Sequence, residues 1–362
     1  MTLSSNKLNR VRQLLEQQGL DAAVFTSTAN FAWLTGGDSH VGLASDTGPS
    51  AALVTRDRVV VLCDNIEAPR IAAEETGDLG VEMCIYPWWE GLSEERIRDI
   101  AGSDRWLADI PMTGRPAIEA LMYPLRAALD DSEVETYREL GLVTGLALEE
   151  AAQSVEIGQS EHEVAAELAR GLLKRGATPT VLLIAADERI SRFRHPIPTS
   201  KRVERMCMLV AGARMKGLIC SATRIVHFGK LPQALEEKHR AVCTVDAALL
   251  AHTVPGETAG DAMKAGIAAY TAAGYPDEWT LHHQGGPTGY RPREFRATAE
   301  SIQVIAPEQA FAWNPSITGT KSEDTVLARE PAPLVLTVSM EWPVISAGPP
   351  GARFERPDIL VK

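Results

Sequence analysis

Apolar residues recur at helical spacing near the start of the chain, and this run stops at Gly19. Its members are Leu8, Val11, Leu14 and Leu15. Spacings of three and four place these side chains on one face, which predicts an amphipathic helix that ends at the glycine. The next segment, DAAVFTS at residues 21–27, is a short apolar run that predicts a buried strand.

Two apolar runs within residues 50–64 are separated by the polar stretch Arg56 to Arg58, which is the pattern of a β-hairpin. A helix rich in Ala and Glu is expected around residues 66–76, followed by a strand at 81–87 and a helix rich in Glu and Arg. Strands that alternate with helices in this way predict a small α/β domain.

A continuously helix-forming segment from Asp131 to Ala152 indicates the start of a second domain. We expect Ser132 to cap this helix, because Glu133 and Glu135 then fall in a first turn that favours negative charge. The predicted domains are therefore residues 1–130 and 131–362, and the predicted fold class is α/β (α+β). Further helices are expected at 160–175, 233–252 and 257–273, with strands around 180–186, 206–212 and 217–226 and short strands through 279–345.

Composition narrows the classes of function. The formal net charge of −12 and the pI near 5.2 disfavour nucleic acid as a partner, because phosphate binding depends on clustered Lys and Arg. No apolar run is long enough for a membrane span, and the N-terminus lacks the apolar core of a signal peptide, so we expect a cytoplasmic protein. The five cysteines include no CxxC pair, which predicts buried thiols rather than disulfides or a zinc knuckle.

Five sequence blocks carry a resemblance to a known family. They are GLDAAVFTSTANFAWLTG (19–36), HPIPTSKRVERMCMLVAGARMKGLICSATR (195–224), LHHQGGPTGYRPRE (281–294), FAWNPSI (311–317) and KSEDTVL (321–327). In these blocks the chain resembles the creatinase, prolidase and aminopeptidase P superfamily. The resemblance implies a small N-terminal creatinase-like α/β domain followed by a C-terminal pita-bread catalytic domain of the M24 peptidase type.

The resemblance also implies where the five metal-ligand positions of the family fall in this chain. They fall on Val210, Ser221, His283, Asn314 and Glu323. Valine offers no ligand atom, and a neutral hydroxyl or amide is a weak ligand for a divalent metal. One remaining carboxylate does not offset the charge of two divalent ions, so we predict that the protein uses no metal and no cofactor.

Acid and base groups remain at the implied site. The predicted catalytic residues are His195, His283, Glu294 and Glu323, and a purely structural role is the alternative for each. Glu294 is expected on the strand that follows the glycine pair of LHHQGG. Creatinase works without metal through a histidine at the position that matches His195, and the resemblance implies that mode. The predicted substrate-binding residues are His40, Ser221, His282, Tyr290, Arg291, Arg293 and Asn314.

His40 lies in a long Gly- and Ser-rich loop at residues 35–50. In relatives this region reaches the active site of the neighbouring subunit, so the resemblance implies a homodimer with a shared site. Long loops in compact domains often carry binding residues.

Three functions follow as hypotheses. The first is a metal-independent hydrolase of a C–N bond in a small molecule, such as an amide, an N-acyl amino acid or an amidine, with a role as a tailoring enzyme of specialised metabolism. The second is a non-catalytic pseudo-peptidase that serves as a binding module. The third is an Xaa-Pro-type metallopeptidase with rearranged ligands. The expected partner is a small-molecule substrate, with neither nucleic acid nor membrane.

Overall fold

The computed structural model describes residues 3–112, 114–349 and 351–362. The chain forms two compact units, Met1–Ala127 and Ala128–Lys362, and each combines helices with sheets. The predicted mixed α/β class is therefore confirmed for both. Among the described residues, no helix has both the length and the apolar character needed to cross a bilayer.

The first unit is built around a five-stranded mixed sheet. Its strand order is β4-β3-β2-β1-β5, in which β1 to β3 pair antiparallel and the outer strands β4 and β5 pair parallel to their neighbours. The strands are β1 (Ala22–Ser27), β2 (Thr47–Thr55), β3 (Val59–Asp64), β4 (Glu82–Tyr86) and β5 (Trp106–Ala108), and the α-helices are α1 (Ser5–Gln18), α2 (Thr28–Thr35), α3 (Ala68–Arg70), α4 (Glu94–Ala101) and α5 (Glu119–Arg126).

The elements expected in this unit are present, with one correction. Gly19 ends α1 in the left-handed region with a φ of 65°, a conformation that glycine adopts without a steric penalty. The predicted helix at 66–76 is not a continuous α-helix, because α3 is followed by a π-helical turn at Ile71–Thr76. The loop that carries His40 connects α2 to β2 and is shorter than the predicted 35–50, because β2 begins at Thr47.

The second unit contains two four-stranded sheets with helices packed against them. The sheet orders are β17-β8-β7-β6 and β14-β13-β10-β9. The helices are α6 (Asp131–Ser154), α7 (Glu161–Leu173), α8 (Glu188–Arg192), α9 (Gln233–Ala251) and α10 (Ala259–Ala272), and the strands are β6 (Thr178–Ala186), β7 (Met206–Met215), β8 (Leu218–His227), β9 (Gly285–Pro287), β10 (Ala310–Trp313), β11 (Ser316–Ile317), β12 (Thr320–Lys321), β13 (Asp324–Leu327), β14 (Leu334–Val335), β15 (Val344–Ala347), β16 (Phe354–Pro357) and β17 (Leu360–Val361).

The cap predicted for α6 is wrong by two residues. Asp130, not Ser132, is the N-cap: its side chain accepts a hydrogen bond from Glu133 N, and the Glu133 carboxylate accepts one from Asp130 N. This reciprocal pair is a capping box, and it satisfies two backbone donors at the helix start. The helix therefore begins two residues before the position at which a Ser132 cap would have allowed it to begin.

Candidate active site

A cavity of about 500 Å³ lies in the second unit, and it is lined by all five residues that the sequence resemblance assigned to the metal-ligand positions. These positions are Val210, Ser221, His283, Asn314 and Glu323. His195, the predicted base or acid, lines the same cavity. The structure thus brings residues from four separate sequence blocks to one place.

Strand pairing explains how His283 and Asn314 become neighbours. His283 lies just before β9 and Asn314 just after β10, and these strands pair antiparallel with Gly285 opposite Trp313. Asn314 N donates to Gln284 O at 3.0 Å. Gly285 has a φ of 102°, and a Cβ there would lie 2.1 Å from Ala312 O, so a larger residue would force the two strands apart.

Val210 and Ser221 reach the cavity from the hairpin of β7 and β8, where Val210 is opposite Thr223 and Ser221 is opposite Gly212. Ser221 N donates to Thr325 Oγ1 at 2.8 Å, which ties β8 to β13. The adjacent Cys220 is fully buried. Its burial raises the pKa of the thiol, which disfavours a thiolate ligand or nucleophile there.

Three imidazoles cluster together, and two of them, His195 and His283, line the cavity. His195 Nε2 lies 3.1 Å from His282 Nε2, so one of the two rings donates a hydrogen bond to the other. The ring of His283 stacks on that of His282 with centroids 4.4 Å apart. One nitrogen from each ring falls in a set whose members all lie within 4.8 Å of one another. Among the described residues, this trio is the group of side chains placed to hold a single metal ion.

The surroundings keep these imidazoles neutral. Burial, followed by the charge of Lys321, lowers the pKa of His195 below its ordinary value. Burial and then Lys321 lower the pKa of His282 to about 2, and burial followed by Arg293 and Arg296 lowers that of His283 to about 4. At neutral pH all three rings are therefore uncharged, and the low pKa values make His282 and His283 weak proton acceptors.

Glu323 is held by cations of the protein itself. Its side chain is almost fully buried, Lys321 Nζ lies 2.7 Å from Oε2, and Arg293 Nη2 lies 3.5 Å from Oε1. Thr223 Oγ1 donates to Oε2 at 2.6 Å. Burial alone would raise the pKa of this carboxyl, but Lys321 and Arg293 outweigh burial and leave the pKa below its ordinary value. The carboxylate is ionised and already paired.

This donor set does not fit a dinuclear divalent centre. Val210 contributes no ligand atom, while Ser221 and Asn314 contribute only neutral oxygens. The one carboxylate of the five is already neutralised by Lys321 and Arg293. These cations would also repel a divalent ion placed beside Glu323. The three histidines do supply ligand atoms, but a divalent ion bound by them would be repelled by the same cationic side chains.

Lys321 and Arg296 line the cavity although neither was predicted as a site residue. A signal for Lys321 exists in the sequence KSED, because residues two apart on an extended segment point to the same face. Lys321 and Glu323 stand in that relation and make an ion pair. Arg296 has no comparable signal, since it lies in an irregular loop.

Five predicted site residues do not line the cavity. They are His40, His282, Tyr290, Arg291 and Glu294. Tyr290 is buried and its hydroxyl donates to Glu133 Oε1 at 2.7 Å, so it anchors α6. Glu294 lies in a loop rather than on the expected strand, with its carboxylate beside Gly289. His40 belongs to the first unit, where it is partly buried.

Sequence analysis missed Glu161, which anchors the loop that follows His195. Glu161, at the start of α7, is 0% exposed and accepts hydrogen bonds from Thr199 N and Thr199 Oγ1, each at 2.8 Å. It also accepts from Ala186 N at 2.8 Å and from Arg189. Thr199 closes the loop that begins at His195, so Glu161 fixes this loop to β6.

Replacing Glu161 with glutamine is therefore expected to destabilise the protein by about 2 kcal/mol, since one carboxylate oxygen becomes an N–H₂ group facing N–H donors. Urea unfolding would measure the loss. Glu167→Gln, an exposed position on the same helix, is the matched control and should change stability by less than about 0.5 kcal/mol. Equal stability of the two variants would contradict an anchoring role for Glu161.

Comparisons with known proteins show which proteins this chain is similar to. Residues 135–355 match the family described as metallopeptidase family M24, and residues 7–107 match the creatinase/prolidase N-terminal domain. A Bacillus subtilis (strain 168) protein described as the uncharacterized peptidase YqhT is 25% identical over 340 residues, covering 90% of this chain and 95% of that protein. The structure of an Xaa-Pro dipeptidase from Bacillus anthracis superposes with a TM-score of 0.79 at 20% identity, covering 98% of this chain and 99% of that chain. A prolidase from Pyrococcus horikoshii OT3 gives 0.75 at 17% identity, with 92% and 98% covered.

Proposed function

Since this chain belongs to metallopeptidase family M24, a family of peptidase-type hydrolases, we propose that it hydrolyses a C–N bond of a small molecule without a metal ion. The resemblance seen in the sequence blocks predicted this family, and that prediction is confirmed. The bond would belong to an amide, N-acyl or amidine group. A role in specialised metabolism stays a hypothesis.

The observation that carries the proposal is the ion pair at the former ligand positions. Lys321 Nζ lies 2.7 Å from Glu323 Oε2, and both side chains line the cavity with His195. A divalent ion in such a site would polarise the scissile group and stabilise the negative charge that develops on it. An ammonium group in a partly desolvated cavity supplies positive charge for the same purpose.

The proposed reaction adds water across the C–N bond. The His195–His282 pair takes a proton from water as the water oxygen bonds to the carbon of the scissile group. Negative charge develops on the carbonyl oxygen, or on the second nitrogen of an amidine, and Lys321 and Arg293 stabilise it. The C–N bond then breaks, and the same histidine pair returns the proton to the departing nitrogen. Glu323 serves as the counter-ion that holds the two cations, instead of the base first assigned to it.

Chelation tests the metal-independent part of the proposal. Protein dialysed against EDTA is expected to retain the turnover of untreated protein on any substrate found in a panel of amides, N-acyl amino acids, amidines and Xaa-Pro dipeptides. Adding Mn²⁺ or Zn²⁺ should not raise it, and elemental analysis should find substoichiometric metal. Activity that is lost on chelation and returns with either ion would overturn metal independence and favour a metallopeptidase with rearranged ligands.

A binding module is the second candidate, and one observation favours it. The carboxylate that remains of the family ligand set is engaged by Lys321, Arg293 and Thr223, which leaves the histidines as the acid–base groups that line this cavity. Absence of turnover across the whole panel, together with saturable ligand binding, would favour the module. A homodimer in which the His40 loop contributes to the partner's cavity remains part of the proposal, and sedimentation of the purified protein tests it.

A further inference from the structure

The reactive groups of the candidate site stand on three segments that are far apart in sequence. His195 lies on segment 193–199, which has no regular secondary structure. His282 follows the single 3₁₀ turn Glu278–Leu281, and Lys321 lies on the short hairpin of β11 and β12. Functional side chains on loops are placed less precisely than those on long strands or helices, and they depend on supporting hydrogen bonds.

The side chain of Arg194 connects the first segment to the other two. Arg194 directly precedes His195, and its Nη2 donates to Glu278 Oε2 at 2.7 Å. Its Nη1 donates to Ser316 Oγ at 3.1 Å, and Nη2 donates to Thr318 Oγ1 at 2.9 Å, both on the hairpin of β11 and β12. A guanidinium group presents its donors in a planar fork, so these contacts fix orientation as well as distance.

Glu278 completes the connection between the second and third segments. Its Oε2 also accepts from Thr318 N at 3.0 Å and from Thr318 Oγ1 at 3.1 Å. One carboxylate oxygen therefore meets donors from both of the other segments. The side chains of Arg194 and Glu278 are 22% and 17% exposed, so water has limited access to the ion pair. Charge-assisted hydrogen bonds of this kind are stronger than neutral ones.

The distance between two imidazoles depends on this connection. His195 Nε2 and His282 Nε2 are 3.1 Å apart, and a displacement of about 1 Å is enough to break such a hydrogen bond. Within the described part of the chain, segment 193–199 is hydrogen-bonded to the other two through Arg194 and through this imidazole contact. Glu161 holds the far end of the segment, so Arg194 anchors the end that carries His195.

We propose that Arg194 and Glu278 are positioning residues, which keep His195 and His282 within hydrogen-bond distance of each other and hold the Lys321 hairpin beside them. The consequence for turnover rests on the proposed hydrolase function, in which the histidine pair moves a proton. The geometry does not rest on it, because the contact between the two rings can be observed without a substrate.

Nuclear magnetic resonance of ¹⁵N-histidine-labelled protein tests the geometry. The wild type is expected to show a hydrogen-bonded ring N–H resonance for the His195–His282 contact, and its loss in His195→Ala assigns it. Arg194→Met keeps an unbranched stem but removes the donors, so this resonance should disappear. A resonance unchanged in Arg194→Met would overturn the inference. Its absence from the wild-type spectrum would do the same, since there would be no contact to maintain.

Arg192→Met is the matched control for Arg194→Met. Arg192 is an exposed arginine two residues earlier, and its guanidinium lies 5.3 Å from the centre of the Phe193 ring. This variant should keep the resonance.

Two substitutions of Glu278 distinguish its hydrogen bonds from its charge. In Glu278→Gln the amide oxygen can accept the same hydrogen bonds as Oε2, so the resonance should persist, whereas Glu278→Ala should lose it. Identical behaviour of the two variants would contradict positioning through these hydrogen bonds. Circular dichroism checks that each protein is folded, and this comparison decides the matter if Arg194→Met is not.

Turnover distinguishes this inference from the proposed function. On a compound that the wild type hydrolyses, Arg194→Met and Glu278→Ala should lower kcat about tenfold and change KM by less than about twofold, as displacement of a reacting group implies. Glu278→Gln and Arg192→Met should keep the wild-type kcat. Unchanged kcat in a variant that has lost the resonance would overturn the role in turnover. A wild type that hydrolyses no compound of the panel, with the resonance lost in Arg194→Met, would contradict hydrolysis and leave the positioning role standing.

Discussion

His195→Ala is expected to lower kcat by about 10²- to 10⁴-fold, the usual contribution of a positioned general acid–base group. The ring of His195 lines the cavity and pairs with His282 at 3.1 Å, so its removal takes away one member of the proton-accepting pair. KM should change less than kcat, because the proposed role of the ring is proton transfer and not substrate binding. The experiment measures kcat and KM on a compound that the wild type hydrolyses.

His162→Ala is the control for this prediction. His162 is an exposed histidine on α7, and its link to the His195 loop is a backbone hydrogen bond from His162 N to Thr199 O, which alanine preserves. Its activity should match that of the wild type. A His195→Ala enzyme that keeps kcat within about threefold would show that proton transfer runs through another group, since less than 1 kcal/mol of the barrier would then depend on the ring.

Local sequence signals predicted an element correctly wherever two such signals agreed. The hairpin of β2 and β3 and the helix ended by Gly19 are cases in which periodicity and a turn or stop signal agree. The start of α6 is a case in which they conflict. Asp130 with Glu133 and Ser132 with Glu135 both have the spacing of a capping box, and local pattern does not choose between them. The structure uses the earlier pair.

The sequence predicted only part of the candidate site. Motif order located His195, Ser221, His283, Asn314 and Glu323, which all line the cavity. It failed for the segment after β9, because the direction of a side chain in an irregular turn depends on distant partners. There, Gly289 O accepts from Ile219 N of β8, and the Tyr290 hydroxyl reaches Glu133 of α6. Contacts between residues so far apart in sequence leave no local pattern.

Lys321→Met is expected to destabilise the protein by about 3–5 kcal/mol, because it leaves the buried Glu323 carboxylate without its shortest ionic contact. Both side chains are nearly inaccessible, at 6% exposed for Lys321 and 2% for Glu323, so water does not replace the lost partner. A loss of this size is a large part of the stability of an ordinary domain. Free energies of unfolding in urea provide the measurement.

A double-mutant cycle with Glu323→Gln distinguishes the ion pair from loss of packing. If the cost arises from an unpaired buried charge, Lys321→Met/Glu323→Gln should be more stable than Lys321→Met alone, since the amide carries no charge and can still accept from Thr223. If the lysine stem only fills space, the two substitutions should add, and the coupling energy should be close to zero. Additivity would remove the argument that Lys321 supplies charge at the former ligand positions, and with it the main support for chemistry without a metal.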